Sequence, residues 1–383
     1  MDKSLYLADS IFQPVSEKNV LMREINKLLF LRTGSFVFGN LNKSAEILSN
    51  HFKQGINSYS QINLRSPFDN FSDKSAALIE VINQLIQNRR FKSVGLLMSG
   101  GKDSALLAKL LNLNGVEVNA YHVTRYPKDH PDTKTKLENL YKICEKVGVS
   151  KLNITYGGVS PSNLLESFNY EFFSAPAAAG CANIFLNTNI KSQQIICFAQ
   201  GADTLSNVVH TQHPYYNNCN IASIGEVKKL IREMYVSTYP SKYRMLGYSL
   251  VNKIILKNKE EIKVLVNKEL QNISRLVGMY LVHTPMDSKY IYKIAKLNNI
   301  SVFNPFHTSE IRGVYMTSVK NISRNNKIEK IEIEIALKEL GLGGLRFSSS
   351  GFSANRVSDQ GNLISQKQFN KQILSLINQY SLL

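Results

Sequence analysis

No apolar run in this sequence approaches the roughly 18 residues that a membrane-spanning helix needs, so no span is expected. The first residues, MDKSLYLADS, contain no apolar core of the secretory kind, so no signal peptide is expected either. Cysteine is scarce. Cys144, Cys181, Cys197 and Cys219 are the whole set, and no two form a C-x-x-C pair. That argues against a disulfide framework and against a cysteine-rich zinc or iron–sulfur site, and it suits a reducing, cytoplasmic setting. Internal repeats are absent. Acidic residues are short in supply: 29 Asp and Glu stand against 46 Lys and Arg, a net charge of +17.

A chain this basic suggests an anionic partner, and nucleic acid is one candidate. The basic residues are scattered, however. The densest stretch, Lys228 to Arg275, also holds Glu226 at its edge and Glu233, Glu260, Glu261 and Glu269 within it. Within Lys253–Lys268 charges alternate with apolar residues, as on the outer face of a packed helix. Aromatic residues interleaved with basic ones, the pattern that stacks bases, are missing there. Weak, salt-sensitive RNA binding is the expectation, and a small molecule or peptide is the favoured partner over nucleic acid. Nothing in the composition speaks to oligomeric state.

What the chain does contain is length and apolar content enough for a large core: 383 residues, 43% hydrophobic. Residues 1 to about 75 read as a small N-terminal region. Val20–Leu31 is its expected helix and Gly34–Gly39 its expected short strand. Pro67 and the polar stretch Asp69–Lys74 read as a linker. Residues 76–383 read as one catalytic unit. It begins with a helix over Ala76–Gln87, and then strands and helices alternate. Strands are expected at Val94–Met98, Val116–Thr124, Leu152–Tyr156 and Ile195–Ala199, with helices over Ser104–Leu111 and Asp132–Val147. Such alternation predicts an α/β fold with a doubly wound parallel sheet, whose ligands bind outside the carboxyl ends of the strands. Beyond residue 223 the pattern is mostly helical, with helices expected over Gly225–Tyr235 and Ser249–Tyr280.

One short stretch organises the rest: Ser99-Gly100-Gly101-Lys102-Asp103-Ser104, between an apolar strand and a Leu/Ala-rich helix. Two glycines permit close backbone approach to a bound group. The helix N-terminus offers free N–H groups and partial positive charge, and Ser99 and Ser104 offer hydroxyls, so the turn is an anion site suited to phosphate. Asp103 would repel phosphate unless a cation lies between them, which points to Mg²⁺. Gly201-Ala202-Asp203 follows another predicted strand, and Asp203 supplies a second carboxylate at a neighbouring strand end.

The first stretch matches the S-G-G-x-D-S signature of the ATP pyrophosphatases, not the G-x-x-x-x-G-K-[ST] nucleotide loop. From about Ala76 to Lys338 the chain resembles the synthetase domain of asparagine synthetase and its relatives, β-lactam synthetase, carbapenam synthetase and lasso-peptide cyclases. Ser99–Ser104, Gly201–Asp203, Asn304-Pro305-Phe306-His307 and Lys330 occur in that family's order. The resemblance implies an adenine nucleotide alpha-hydrolase-like sheet. It implies that Ser99, Gly100, Gly101, Asp103, Ser104 and Gly201 bind ATP and that Asp103 and Asp203 hold Mg²⁺. It implies too that a lysine such as Lys330 stabilises charge on phosphate or oxyanion. Lys102, inside the first motif, is the second candidate catalytic cation. The competing reading of Lys330 is a solvated lysine on a highly charged segment, with Lys327 as the rival.

Three positions depart from the family. Gln200, three residues before Asp203, stands where relatives carry glutamate or tyrosine, and it cannot act as a base. Asp2 stands where the family's glutaminase has cysteine, and the first region is too short for a whole glutaminase. Glu334 stands where arginine is common. The expected activity is therefore an ATP-dependent, AMP-forming synthetase without its own glutaminase, joining an activated carboxyl or amide-like oxygen to an amine. The alternative is a tRNA- or nucleobase-modifying enzyme adding lysine or sulfur. Cys181, among Ala177–Ala179 and Ala182, is either a thiolate for that sulfur chemistry or a small packed residue. His210 and His213 read as loop residues, with metal binding or base chemistry as the other possibility.

Overall fold

The computed structural model describes residues 41–60, 62, 64, 66–169, 176–206, 220–237, 244–281, 288–320, 330–347 and 355–365, and beyond these 368, 369, 371–373, 375 and 376. The elements expected at Val20–Leu31 and Gly34–Gly39, together with His210, His213, Cys219 and Lys327, lie outside the described residues.

Among the described residues, five strands form one parallel sheet: β1 (Ser93–Leu97), β2 (Glu117–Val123), β3 (Lys151–Thr155), β5 (Ile195–Cys197) and β6 (Ser301–Phe303), in the order β3-β2-β1-β5-β6. The expected doubly wound sheet is present. A two-stranded parallel pair, β4 (Gly158–Val159) with β7 (Asn355–Arg356), lies apart from it. The chain reverses its winding at β1, between β2 and β5, so the carboxyl ends of β1 and β5 are neighbours. A crevice at such a switch point is where ligands bind in open α/β sheets.

Strand alternation sorts side chains to the two faces. Val94, Leu96, Met98, Val118 and Ala120 pack with α2 (Phe71–Arg89), α3 (Lys102–Leu113) and α4 (Pro131–Val147). Leu97, Tyr121, Val123, Ile196 and Phe198 pack with α5 (Pro161–Ser167), α6 (Pro176–Asn187) and α11 (Lys289–Leu297). Both faces are covered, which is why the central strands β1 and β5 read as apolar runs. A third cluster joins α1 (Leu41–Ser60) to α8 (Ile224–Ser237), α9 (Arg244–Lys257) and α10 (Leu270–Val277). The first cluster also takes in α7 (Ala202–Leu205), which follows β5, together with α12 (Ser309–Met316) and α13 (Ile331–Glu339).

Three expectations need correction. Asp69–Lys74 is not a linker: the Asn70 side chain accepts a hydrogen bond from the Asp73 N–H at 2.9 Å and caps α2, which starts at Phe71. The single helix expected over Ser249–Tyr280 is broken into α9, a 3₁₀ turn at Glu261–Leu265 and α10. Asn258 is fully buried there and donates to Ile254 O and Ser49 Oγ, and Asn267 turns the chain at φ 64°. The sheet also gains β6, whose three residues are too few for any periodicity to register.

Candidate active site

The first motif forms a strand–turn–helix. Gly100 sits at φ 80°, in the left-handed region open to glycine at no steric cost. Ser99 Oγ accepts from the Gly101 N–H at 3.1 Å, and Ser104 Oγ donates to Gly101 O at 3.1 Å. The two hydroxyl oxygens are 3.1 Å apart. These contacts brace the turn. Gly101 is the N-cap of α3 and carries no side-chain cap, so no side chain of the cap takes up the first N–H groups of the helix. Behind the turn, half-buried His122 donates from Nδ1 to Met98 O at 2.7 Å. Burial first, and then Lys136, depress its pKa despite the Met98 carbonyl, so the ring is neutral near pH 7. Sequence reasoning missed His122, which reads simply as a residue of β2.

The second motif is similar in build. Gly201 at φ 105° caps α7, which carries Asp203 in its first turn. Lys330, 227 residues after Asp103, closes the arrangement. Its Nζ donates to Asp103 Oδ2 at 2.6 Å and also contacts Asp203 Oδ1. The structure thus brings together Asp103, Asp203 and Lys330 at the ends of β1 and β5. Lys330 itself sits at φ 57° as the N-cap of α13.

Electrostatics follow from burial. Desolvation pushes Asp103 up to about 6 and the Asp203 charge adds to it, while Lys330 and Lys102 oppose both. For Lys330, burial works downward, but the two carboxylates outweigh it and the pKa is raised. Asp103 Oδ1 is buried and has no hydrogen-bond partner among the described residues. A buried carboxylate oxygen without a donor is costly. It is the ligand type a hard cation takes, and Mg²⁺ needs only one or two carboxylates alongside phosphate oxygens and water. Asp103 and Asp203 therefore fit a bound Mg²⁺.

The remaining candidates fall around this centre. Lys102 Nζ pairs with Glu334 Oε1 of α13. Both side chains are over a third exposed, so the pair contributes about 0–1 kcal/mol at most. Gln200 lies between the second motif and the Asn304–His307 segment: Tyr290 donates its hydroxyl to Gln200 Oε1 at 3.2 Å, and Asn304 Nδ2 donates to Gln200 O at 2.7 Å. His307 Nδ1 lies 2.9 Å from the Tyr292 hydroxyl. Tyr290 and Tyr292 went unnoticed in the sequence because α11 reads as an ordinary core helix. Cys181 is fully buried in α6, and burial raises its thiol pKa well above the ordinary value. That agrees with a packed residue and not with a thiolate. Cys181→Ala is accordingly expected to keep at least about half of the turnover, since the thiol is buried and protonated. Loss of product with adenylate formation retained would show instead that its sulfur takes part.

No model of a known protein family matches the chain, and no curated protein sequence matches it. Among solved structures, one alignment is with the U34-tRNA thiolase NcsA from Methanococcus maripaludis with its [4Fe-4S] cluster. It has 14% identity over 58% of this chain and 78% of that one, with a TM-score of 0.23. Another is with NMN synthetase from Francisella tularensis, at 12% identity over 67% of this chain and 99% of that one, with a TM-score of 0.22. Among the described residues no helix is long and apolar enough to cross a membrane.

Proposed function

We propose that the chain is an ATP pyrophosphatase of the AMP-forming synthetase type. It adenylates a carboxyl or amide-like oxygen of a small molecule or peptide and passes the activated group to an amine. One observation carries this reading: the Lys330 ammonium lies between Asp103 and Asp203, beside the uncapped N-terminus of α3. The turn Ser99–Ser104 and the first N–H groups of α3 take the departing phosphates. Asp103 and Asp203 would hold the Mg²⁺ that neutralises phosphate charge during displacement. The acceptor oxygen attacks the α-phosphorus, the bond to the bridging α–β oxygen breaks, and pyrophosphate leaves. Lys330 then faces the charge that builds on the α-phosphoryl oxygens and, in the second half-reaction, on the carbonyl oxygen. Gln200 is no base. With its Oε1 occupied by Tyr290, its amide NH₂ suits a carbonyl or carboxylate on the substrate. Holding reactants in line, with charge stabilised in a water-poor cleft, is the main contribution of such a site.

Phosphorus NMR of the products tests the proposal. AMP and pyrophosphate are expected when candidate carboxyl and amine substrates are supplied; ADP and phosphate as the main products would refute it. The charge of +17 favours the second reading, a tRNA- or nucleobase-modifying enzyme of the same chemistry. Pyrophosphate release stimulated by one tRNA, with binding that survives a rise from about 50 to 200 mM salt, would select that reading.

A further inference from the structure

Away from the phosphate-facing edge, the molecule buries a set of charges that the proposed chemistry does not use. Lys74 on α2, Arg275 on α10 and Glu332 on α13 are 3%, 7% and 5% exposed. Each is bonded to a carrier of the site. Lys74 Nζ donates to Tyr315 O and Thr317 O, both at 3.0 Å, and stands 3.5 Å from Glu332 Oε1. Ser75, its neighbour, donates its hydroxyl to Glu332 O at 3.0 Å. Glu332 lies two residues beyond Lys330 in the first turn of α13. On the other side, Arg275 Nε donates to Leu205 O at 2.8 Å, and Leu205 is the last residue of α7, the helix that carries Asp203. Arg275 Nη1 donates to Asn272 Oδ1 at 2.9 Å, and Asn272 Nδ2 donates to Met316 O at 2.8 Å. Met316 lies between the two residues whose carbonyls accept from Lys74.

These bonds form one buried chain from the Asp203 helix to the Lys330 helix: Leu205, Arg275, Asn272, the end of α12, Lys74, Glu332. Burial pushes Lys74 down to about 8, with Glu332 pulling the other way, so it is still charged at neutral pH. A buried ion pair is a poor source of stability, since well-packed apolar residues of similar volume often do as well or better. It is a better source of geometry, because hydrogen bonds fix direction and dispersion contacts do not. Lys330 needs such fixing. It stands at a left-handed backbone position without a side-chain cap, and its side chain must reach both carboxylates.

We propose that Lys74 and Arg275 are positioning residues: through Glu332 and Leu205 they set where Lys330 stands relative to Asp203. The link to catalysis rests on the function proposed above; the link to Lys330 geometry does not. Lys74→Met/Glu332→Met removes both charges of that pair at once, while Arg275, which Glu332 also faces, keeps Glu269 as a counter-charge. Glu332→Gln, which keeps the shape, serves if the double variant fails to fold. Lys330 reactivity is read by brief acylation with a succinimidyl ester and mass spectrometry of its peptide, with Lys330→Met assigning the signal. We expect labelling of Lys330 to rise about fivefold or more in a chain that still melts in one cooperative transition, at a somewhat lower temperature because Tyr315 O and Thr317 O lose a donor. We expect kcat to fall about tenfold with the KM for ATP within about twofold, since small misplacements of a reacting group are expensive. Unchanged Lys330 labelling in a folded variant overturns the inference, whatever the turnover. Raised labelling in a chain that never releases pyrophosphate upholds the positioning and refutes the proposed function instead.

Discussion

Asp103→Asn and Asp203→Asn are each expected to lower ATP turnover by about 10²-fold or more while the chain remains folded, the scale of losing one strong transition-state contact. The two carboxylates meet at Lys330 from helices that follow adjacent strands, and Asp103 Oδ1 is buried without a partner. Asparagine keeps the shape and removes the charge, so a cation bound there loses a charged ligand and the phosphates lose screening. Folding should survive, because Asp103 is strained by its own ionisation. Its folded pKa of about 6 lies above the unfolded value, so the native state holds a proton longer and loses relative stability as pH rises through about 4 to 6. Asparagine has no such loss. Steady-state pyrophosphate release at saturating Mg²⁺, with melting curves alongside, checks both halves. Near-normal turnover in Asp203→Asn would remove Gly201–Asp203 from the site.

Lys330→Met is expected to cost about 10²–10³ in kcat, the range seen when a fixed donor to developing charge is removed. A second consequence separates this from general damage. Lys330 lowers the Asp103 pKa against the upward push of burial and Asp203. Without the ammonium that opposition goes, so Asp103 in the protein without nucleotide must titrate at higher pH than in the unaltered chain. Carbon-13 NMR of labelled aspartate carboxyls measures it directly. A titration that stays in place or moves to lower pH would mean that Lys330 is not held against Asp103. Lys330→Arg is not expected to restore activity, because a planar fork does not replace a compact ammonium between two carboxylates.

Much of the frame was legible in the order of residues. Ser99–Ser104 announced a turn because Gly100 needs a positive φ and because an apolar strand precedes it and a helix-former run follows. Alternation of strand and helix from Val94 onward declared a parallel sheet, since parallel neighbours need a crossover between them. Gln200 was visible as a residue that cannot take a proton. These are consequences of neighbours along the chain: backbone sterics, side-chain period and the chemistry of single groups.

Other features are settled only by folding. Lys330 sits in a segment of alternating Lys, Glu and Ile that reads equally well as a solvated helix face. What marks it as a site residue is a contact with Asp103 across 227 residues. Lys74 belongs to a polar stretch that has every mark of a linker, yet it is buried because Glu332 and two carbonyls at the end of α12, those of Tyr315 and Thr317, wait for its charge. Cys181, among alanines, reads as a small packed residue with sulfur chemistry as the other possibility, and it is burial in the fold, with the raised thiol pKa that follows, that decides for packing. The physical reason is common to all three. Periodicity and propensity act over a turn or two of chain, whereas desolvation and ion pairing are set by whatever distant segments the core brings alongside.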